Sequence, residues 1–234
     1  MHYDMEKVIV TDVDGVLLNW GYAFDVWMTQ EGYTKREDEW QYYCVSKQYG
    51  LPLAEAKKQI NYFNQSAMVG FIPPLRDAIH YVKKLHEEHG YVFHTCTSLH
   101  HNPEAQKLRI MNLEKLFGET VFAKHTILGC GDDKDEALAP YKDTGLPWIE
   151  DKEENAVLGK DLGLDAIMME HENRSGWQGW RVRATMQMMS TITDNEAVRA
   201  VLVESIPEAV VNFLIDNGGL RRLAFMGHGG EPVG

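Results

Sequence analysis

Asp12 and Asp14 are separated by one residue in Val8-Ile9-Val10-Thr11-Asp12-Val13-Asp14-Gly15-Val16-Leu17, at the exit of a short run of β-branched residues. Residues two apart on a strand share one face, so a strand ending here presents two carboxylates side by side, where like charges repel. A bound cation or a shared proton relieves that repulsion, which makes the pair a candidate for metal binding or acid–base work. Taken alone, Asp-x-Asp-Gly is an ordinary turn, since both residue types are favoured there for backbone reasons. Three further polar signals give it company: Thr97-Ser98 after Tyr91 to Cys96, Lys134 at the opening of a helix, and Glu150-Asp151 after Pro147-Trp148-Ile149.

The elements that must carry these residues follow from the apolar pattern. Short β-branched or apolar runs at Val8 to Thr11, Tyr91 to Cys96, near Thr120 to Ala123, at Pro147 to Ile149 and at Asp165 to Met169 read as buried parallel strands. Helical patterns lie between them: Ala78, Ile79, Val82 and Leu85; then Leu108, Met111, Leu113 and Leu116; then Ala156, Val157 and Leu162. Strands alternating with helices predict an α/β fold with a doubly wound parallel sheet. In such a sheet, residues just past the strands converge outside their carboxyl ends, which gathers Asp12, Asp14, Thr97, Ser98 and Asp151 in one crevice.

Residues 20 to 70 interrupt the alternation with aromatic-rich helical patterns: Phe24, Trp27 and Met28, then Trp40, Tyr43 and Cys44, then Ala56, Ile60 and Phe63. The segment leaves from the end of the first strand and returns near Gly70 to Pro74, where Pro73-Pro74 stops a helix. It reads as a small helical cap inserted after the first strand. The expected organisation is a catalytic core of residues 1–19 and 71–170, a cap of residues 20–70, and an extension of residues 171–234 with two helical patterns and a frayed tail.

The ordered set Asp12-x-Asp14, Thr97-Ser98, Lys134 and Glu150-Asp151 resembles the four motifs of the haloacid dehalogenase-like (HAD) phosphohydrolase superfamily. Asp12-Val13-Asp14-Gly15-Val16-Leu17 followed by Trp20 looks most like its 5'-deoxyribonucleotidase branch and phage-encoded relatives. The resemblance spans about residues 7 to 170 and implies a Rossmann-like core. Two positions depart from the common pattern: Val16 stands where many members have Thr, and Asn155 where many carry a further Asp.

That resemblance implies a phosphoric monoester hydrolase. Asp12 would be the nucleophile that forms an aspartyl-phosphate, and Asp14 would protonate the leaving group and then activate water. The implied cofactor is Mg²⁺, held by the Asp12 carboxylate, the Asp14 backbone carbonyl and the Asp151 carboxylate, in keeping with its preference for oxygen ligands. Glu150 would ligate through water or orient a ligand. Lys124, Lys134 and Lys142 compete for the cation's place. Lys134 is preferred because Asp133 with Glu136 makes a capping box and puts it in the first turn of a helix at the catalytic end. Thr97 and Ser98 would bind the phosphate, with Thr95 replacing Thr97 if the strand ends early, and Trp20 would stack on a base or sugar. His94, His100, His101, His125 and His171 show no metal-binding arrangement.

Bulk properties narrow the substrate. The 234 residues are 44% hydrophobic, enough for an α/β domain with a modest insertion. A formal charge of −12 disfavours nonspecific binding to nucleic acid or anionic membrane, since both rely on Lys/Arg counter-charge. No window reaches the roughly eighteen uninterrupted apolar residues that span a bilayer, and the N-terminus lacks a basic segment followed by an apolar one. No membrane partner and a cytoplasmic location are expected. Three cysteines, Cys44, Cys96 and Cys130, lack metal-site spacing. The expected substrate is a small phosphorylated metabolite, most readily a (deoxy)nucleoside monophosphate, with sugar phosphates or a nucleic-acid 3' end as alternatives. A reading of another class is a non-catalytic HAD-fold binding or assembly module, with residues 171–234 as an interface through which copies could form a homo-oligomer.

Overall fold

A computed structural model describes residues 7–37, 44–75, 78–129 and 131–169. Its centre is β1 (Val8–Thr11), four residues that are all buried because both faces of the strand are covered. Val8 and Val10 pack into one apolar cluster with Leu138, Tyr141 and Trp148, while Ile9 points into another with Val82, Leu85 and Phe93. A strand covered on both faces needs no polar alternation, which is why its sequence is continuously apolar.

β2 (Val92–Ser98), β3 (Phe122–Leu128), β4 (Pro147–Glu150) and β5 (Asp165–Met168) join it in a five-stranded sheet of order β3-β2-β1-β4-β5. Every pairing is parallel. The chain moves outward on one side of β1, then crosses to the other between β3 and β4. This is the doubly wound α/β fold that the alternation predicts, and its crevice lies at the carboxyl ends beside the crossover.

Two elements differ from expectation. β3 begins at Phe122 and runs on to Leu128, past the expected 120–123. It is an edge strand with half-buried Thr126 and Ile127 and exposed Lys124, so it lacks the continuous apolar run that marks its buried neighbours. The helix α5 (Pro103–Phe117) packs the expected Leu108, Leu113 and Leu116 against the core but turns Met111 outward and centres its buried face elsewhere. Ala105, Arg109, Asn112, Leu113 and Phe117 are its buried residues, whereas Met111 is 44% exposed. The buried stripe follows a four-residue step through an arginine, which the apolar pattern alone skips. Asn102 caps this helix by accepting from the Glu104 and Ala105 amides, with Pro103 in its first turn.

Between β1 and α4 (Ala78–Glu87) the described regular elements are all helical: α1 (Trp20–Gln30), α2 (Val45–Gln48), α3 (Leu53–Gln65) and a 3-10 turn at Ala67–Gly70. Trp40 and Tyr43, expected in its second helix, lie outside the described residues. Phe24 stacks on Trp20 at 4.6 Å between ring centroids and meets Phe63 edge-on at 5.5 Å. Burial of each such ring contributes about 1.5–3 kcal/mol. Two side chains of α5 fasten the return of this segment: Asn112 donates to the Ile72 carbonyl at 2.9 Å, and Leu108 packs against Gly70. The remaining helices are α6 (Asp135–Leu138) and α7 (Glu153–Asp161). No helix among the described residues is long and apolar enough to cross a membrane. The expected extension of residues 171–234 lies outside the described residues.

Candidate active site

Asp12 is the first residue past β1 and is tied to the next strand by its amide, which donates to the Ile149 carbonyl at 2.8 Å. Gly15, at φ 81°, takes the left-handed conformation that turns the chain away after Asp14. Thr97 and Ser98 close β2, and Glu150 closes β4 with Asp151 next to it. Lys134 enters from the far side of the crossover as the residue that precedes α6. No side chain caps that helix, so the expected Asp133–Glu136 capping box is not formed, and the helix starts at Asp135.

These strand ends line a cavity of about 390 Å³ with Asp12, Asp14, Thr97, Ser98, Lys134, Glu150, Asp151 and Asn155 in its wall. Seven carboxylates and two lysines line it in all, so its field is negative and an anion needs a cation to enter.

Lys134 is nearly inaccessible, and its ammonium donates to Glu150 Oε2 at 2.7 Å. It also lies 3.1 Å from Asp12 Oδ1, close enough for an ion pair but outside hydrogen-bond geometry, so that buried oxygen accepts no hydrogen bond. Burial alone would lower the Lys134 pKa. The Asp12 and Glu150 charges outweigh it and hold the ammonium protonated well above the usual lysine range. Glu150 in turn accepts from the backbone amides of Asp151 and Lys152. It is the fully buried anchor of the lysine, a role the sequence gives no sign of.

One ammonium faces three acids here. Asp12, Glu150 and Asp151 offer carboxylate oxygens that lie within 4.8 Å of one another. Burial, and then the Asp12 charge, push Glu150 up to about 7, and the same causes with Glu150 added raise Asp151 well above the carboxylate range. Hard oxygen donors crowded in this way, with an unoccupied lone pair on Asp12 Oδ1, fit a divalent cation such as Mg²⁺. Asp14 stands at the rim of the group, 22% exposed, with its pKa raised to about 6, chiefly by burial and against the lowering effect of Arg109.

The two threonines of β2 differ. Thr95 shares a hydrogen bond with His125 Nδ1 at 3.0 Å, whereas Thr97 lines the cavity with a buried hydroxyl that has no partner. An orphaned hydroxyl facing a cavity is a donor awaiting an acceptor. Trp20 is placed elsewhere: its indole N–H donates to Asn64 Oδ1 at 2.9 Å, one face is covered by Phe24, and it is not among the residues lining the cavity. Lys124 lies over the Tyr141 ring. Cys96, near Lys134, is buried and its thiol is pushed up to about 12 by burial, so it is no nucleophile. Arg109, absent from the sequence-based set, reaches Asp14 from α5 at 2.6 Å.

No family model matches the sequence, and no curated protein matches it. Among solved structures, the chain is similar to a haloacid dehalogenase-like family hydrolase from Streptococcus pneumoniae, at 15% identity over 68% of this chain and 81% of that one, with a TM-score of 0.46. It is similar to CbbY from Rhodobacter sphaeroides in complex with phosphate, at 14% identity over 74% and 91%, TM-score 0.45. A haloacid dehalogenase-like hydrolase from Bacteroides fragilis matches at 15% identity over 70% and 85%, TM-score 0.45.

Proposed function

We propose that the chain is a Mg²⁺-dependent phosphatase of the HAD type that hydrolyses a small phosphate monoester through an aspartyl-phosphate on Asp12. The observation that carries this reading is the convergence of Asp12, Lys134 and Asp151 with the unpartnered Thr97 hydroxyl around one cavity. Asp12 attacks phosphorus through a carboxylate oxygen. The bond from phosphorus to the leaving oxygen breaks, the electron pair stays on that oxygen, and Asp14 supplies its proton. Water then attacks the phosphorus of the acyl phosphate while Asp14 accepts a proton from that water, and the bond between the Asp12 oxygen and phosphorus breaks, returning the carboxylate and releasing inorganic phosphate. Lys134 holds Asp12 in place and faces the phosphoryl oxygens. The Asp12 and Asp151 carboxylates and the Asp14 backbone carbonyl would hold Mg²⁺, which supplies offset for the negative charge of those oxygens. Thr97 and Ser98 donate to the phosphate.

The leaving group is proposed from what surrounds the cavity. A (deoxy)nucleoside monophosphate is supported by the resemblance carried by the run from Asp12 to Leu17, although Trp20 lies outside the cavity. The wall as described contains no aromatic ring, which favours a second reading, a sugar phosphate held by polar groups alone. A nucleic-acid end is disfavoured by the acidic chain, and a purely binding role by the intact Asp12, Asp14, Lys134 and Asp151. The test is phosphate release from p-nitrophenyl phosphate, nucleoside monophosphates, sugar phosphates and 3'-phosphorylated oligonucleotides with Mg²⁺. Asp12→Asn is expected to be silent on all of them with its melting temperature nearly unchanged. Retained turnover would remove Asp12 as the nucleophile.

A further inference from the structure

Arg109 is the one fully buried guanidinium among the described residues, with none of its side chain exposed. Arginine on a helix ordinarily keeps its head in water, and taking it out is costly unless excellent partners replace the solvent. Here it has a single partner. Nη1 donates to Asp14 Oδ1 at 2.6 Å, while Nε and Nη2 are buried with no hydrogen-bond partner.

A guanidinium kept only to anchor its helix would be surrounded by acceptors, and α5 is anchored without it. Ala105, Leu113 and Phe117 sit in the apolar core, and Asn112 holds the Ile72 carbonyl. Asp14, by contrast, needs holding. The χ2 torsion of an aspartate is broad, so a carboxylate on a turn samples many directions, and proton transfer tolerates few. One oxygen of Asp14 is fixed by Arg109 while the residue still lines the cavity. That leaves Oδ2 to serve the leaving oxygen.

We infer that Arg109 is a positioning residue for the proton-transfer step: it aims the Asp14 carboxylate at the leaving group without touching substrate. This rests on the phosphatase reading above. Asp14 gives its proton as the bond from phosphorus to the leaving oxygen breaks, so a misaimed Asp14 should matter most where that oxygen leaves poorly.

The experiment compares p-nitrophenyl phosphate with phenyl phosphate, whose leaving group is the poorer one, for the wild type, Arg109→Gln, Arg109→Lys, Asp14→Asn and the double variant Asp14→Asn with Arg109→Gln. The expected result for Arg109→Gln is a kcat loss on phenyl phosphate at least about tenfold greater than on p-nitrophenyl phosphate, with KM nearly constant. Arg109→Lys, which keeps the buried charge, should recover part of it. On the Asp14→Asn background, Arg109→Gln should cost nothing more, because its action runs through Asp14. Equal losses on both esters, losses that multiply in the double variant, or failure of both single Arg109 variants to fold would each overturn the assignment. If the wild type turns over neither ester, the phosphatase reading falls and this one falls with it.

Discussion

Lys134 carries more of the site's electrostatics than any other side chain, because among the described residues it is the one buried ammonium, set among acids that would otherwise repel one another. Breaking a buried pair by deleting one partner costs about 3–5 kcal/mol, since the other charge is left uncompensated. Lys134→Met is therefore expected to lower the unfolding free energy from urea titration by an amount of that order near pH 7, seen as a lower midpoint, and to abolish turnover. An unchanged midpoint would show that Glu150 simply takes up a proton at no cost. His94 gives a second residue-scale test, away from the acids. It is buried on β2 against the Tyr141 hydroxyl at 2.8 Å, and burial, followed by the Lys124 charge, lowers its pKa to about 4 from the ordinary value near 6.5. Between those two values the unfolded chain binds a proton that the folded chain refuses. The stability from His94 is thus complete above about pH 6.5 and is lost as pH falls toward 4. His94→Gln should flatten the acid limb of the stability profile in that window, and a steeper limb would contradict the sign.

At the scale of elements, α5 links β2, the acid-bearing turn and the segment that returns through Ile72. Asn112→Ala would leave the buried Ile72 carbonyl without its donor, a loss of about 1–3 kcal/mol. Proteolysis within residues 53–75 is expected to quicken in that variant, and an unchanged cleavage pattern would show that the apolar contacts alone hold the segment. Much of this architecture is legible in the chain. β1, β4 and β5 announce themselves because they are buried on both faces, and the acids are legible because a parallel sheet delivers the residues after its strands to one place. β3 is hard to read because, unlike β5 at the other edge, it is only half covered along its length and tolerates Lys124 and His125. Arg109 is hidden because a charged residue on a helix reads as solvent-facing, although its four-residue step from Ala105 to Leu113 puts it in the buried stripe. Glu150 reads as a neighbour of the expected metal ligand Asp151, since nothing local reveals that Lys134, sixteen residues earlier, will reach it. The preference for Thr97 over Thr95 depends on where β2 ends, which only the pairing of Ser98 with Leu128 settles.

For the molecule as a whole, the negative cavity implies that a divalent cation should stabilise the fold itself. A ligand bound only by the folded state adds about 2.7 kcal/mol at a hundred times its dissociation constant. Added Mg²⁺ is expected to raise the melting temperature, chelation to reverse this, and Asp151→Asn to blunt it. A melting temperature indifferent to Mg²⁺ would argue against a cation among these acids.

The strand order carries a last consequence for how the molecule is made. β1 is translated before the other four strands, yet one of its two neighbours, β4, is made only after β2 and β3 are complete. Until Pro147 to Glu150 leave the exit tunnel, the central strand has one naked edge, the kind of surface that recruits other nascent chains. The same few residues that cover this edge deliver Glu150 to Lys134.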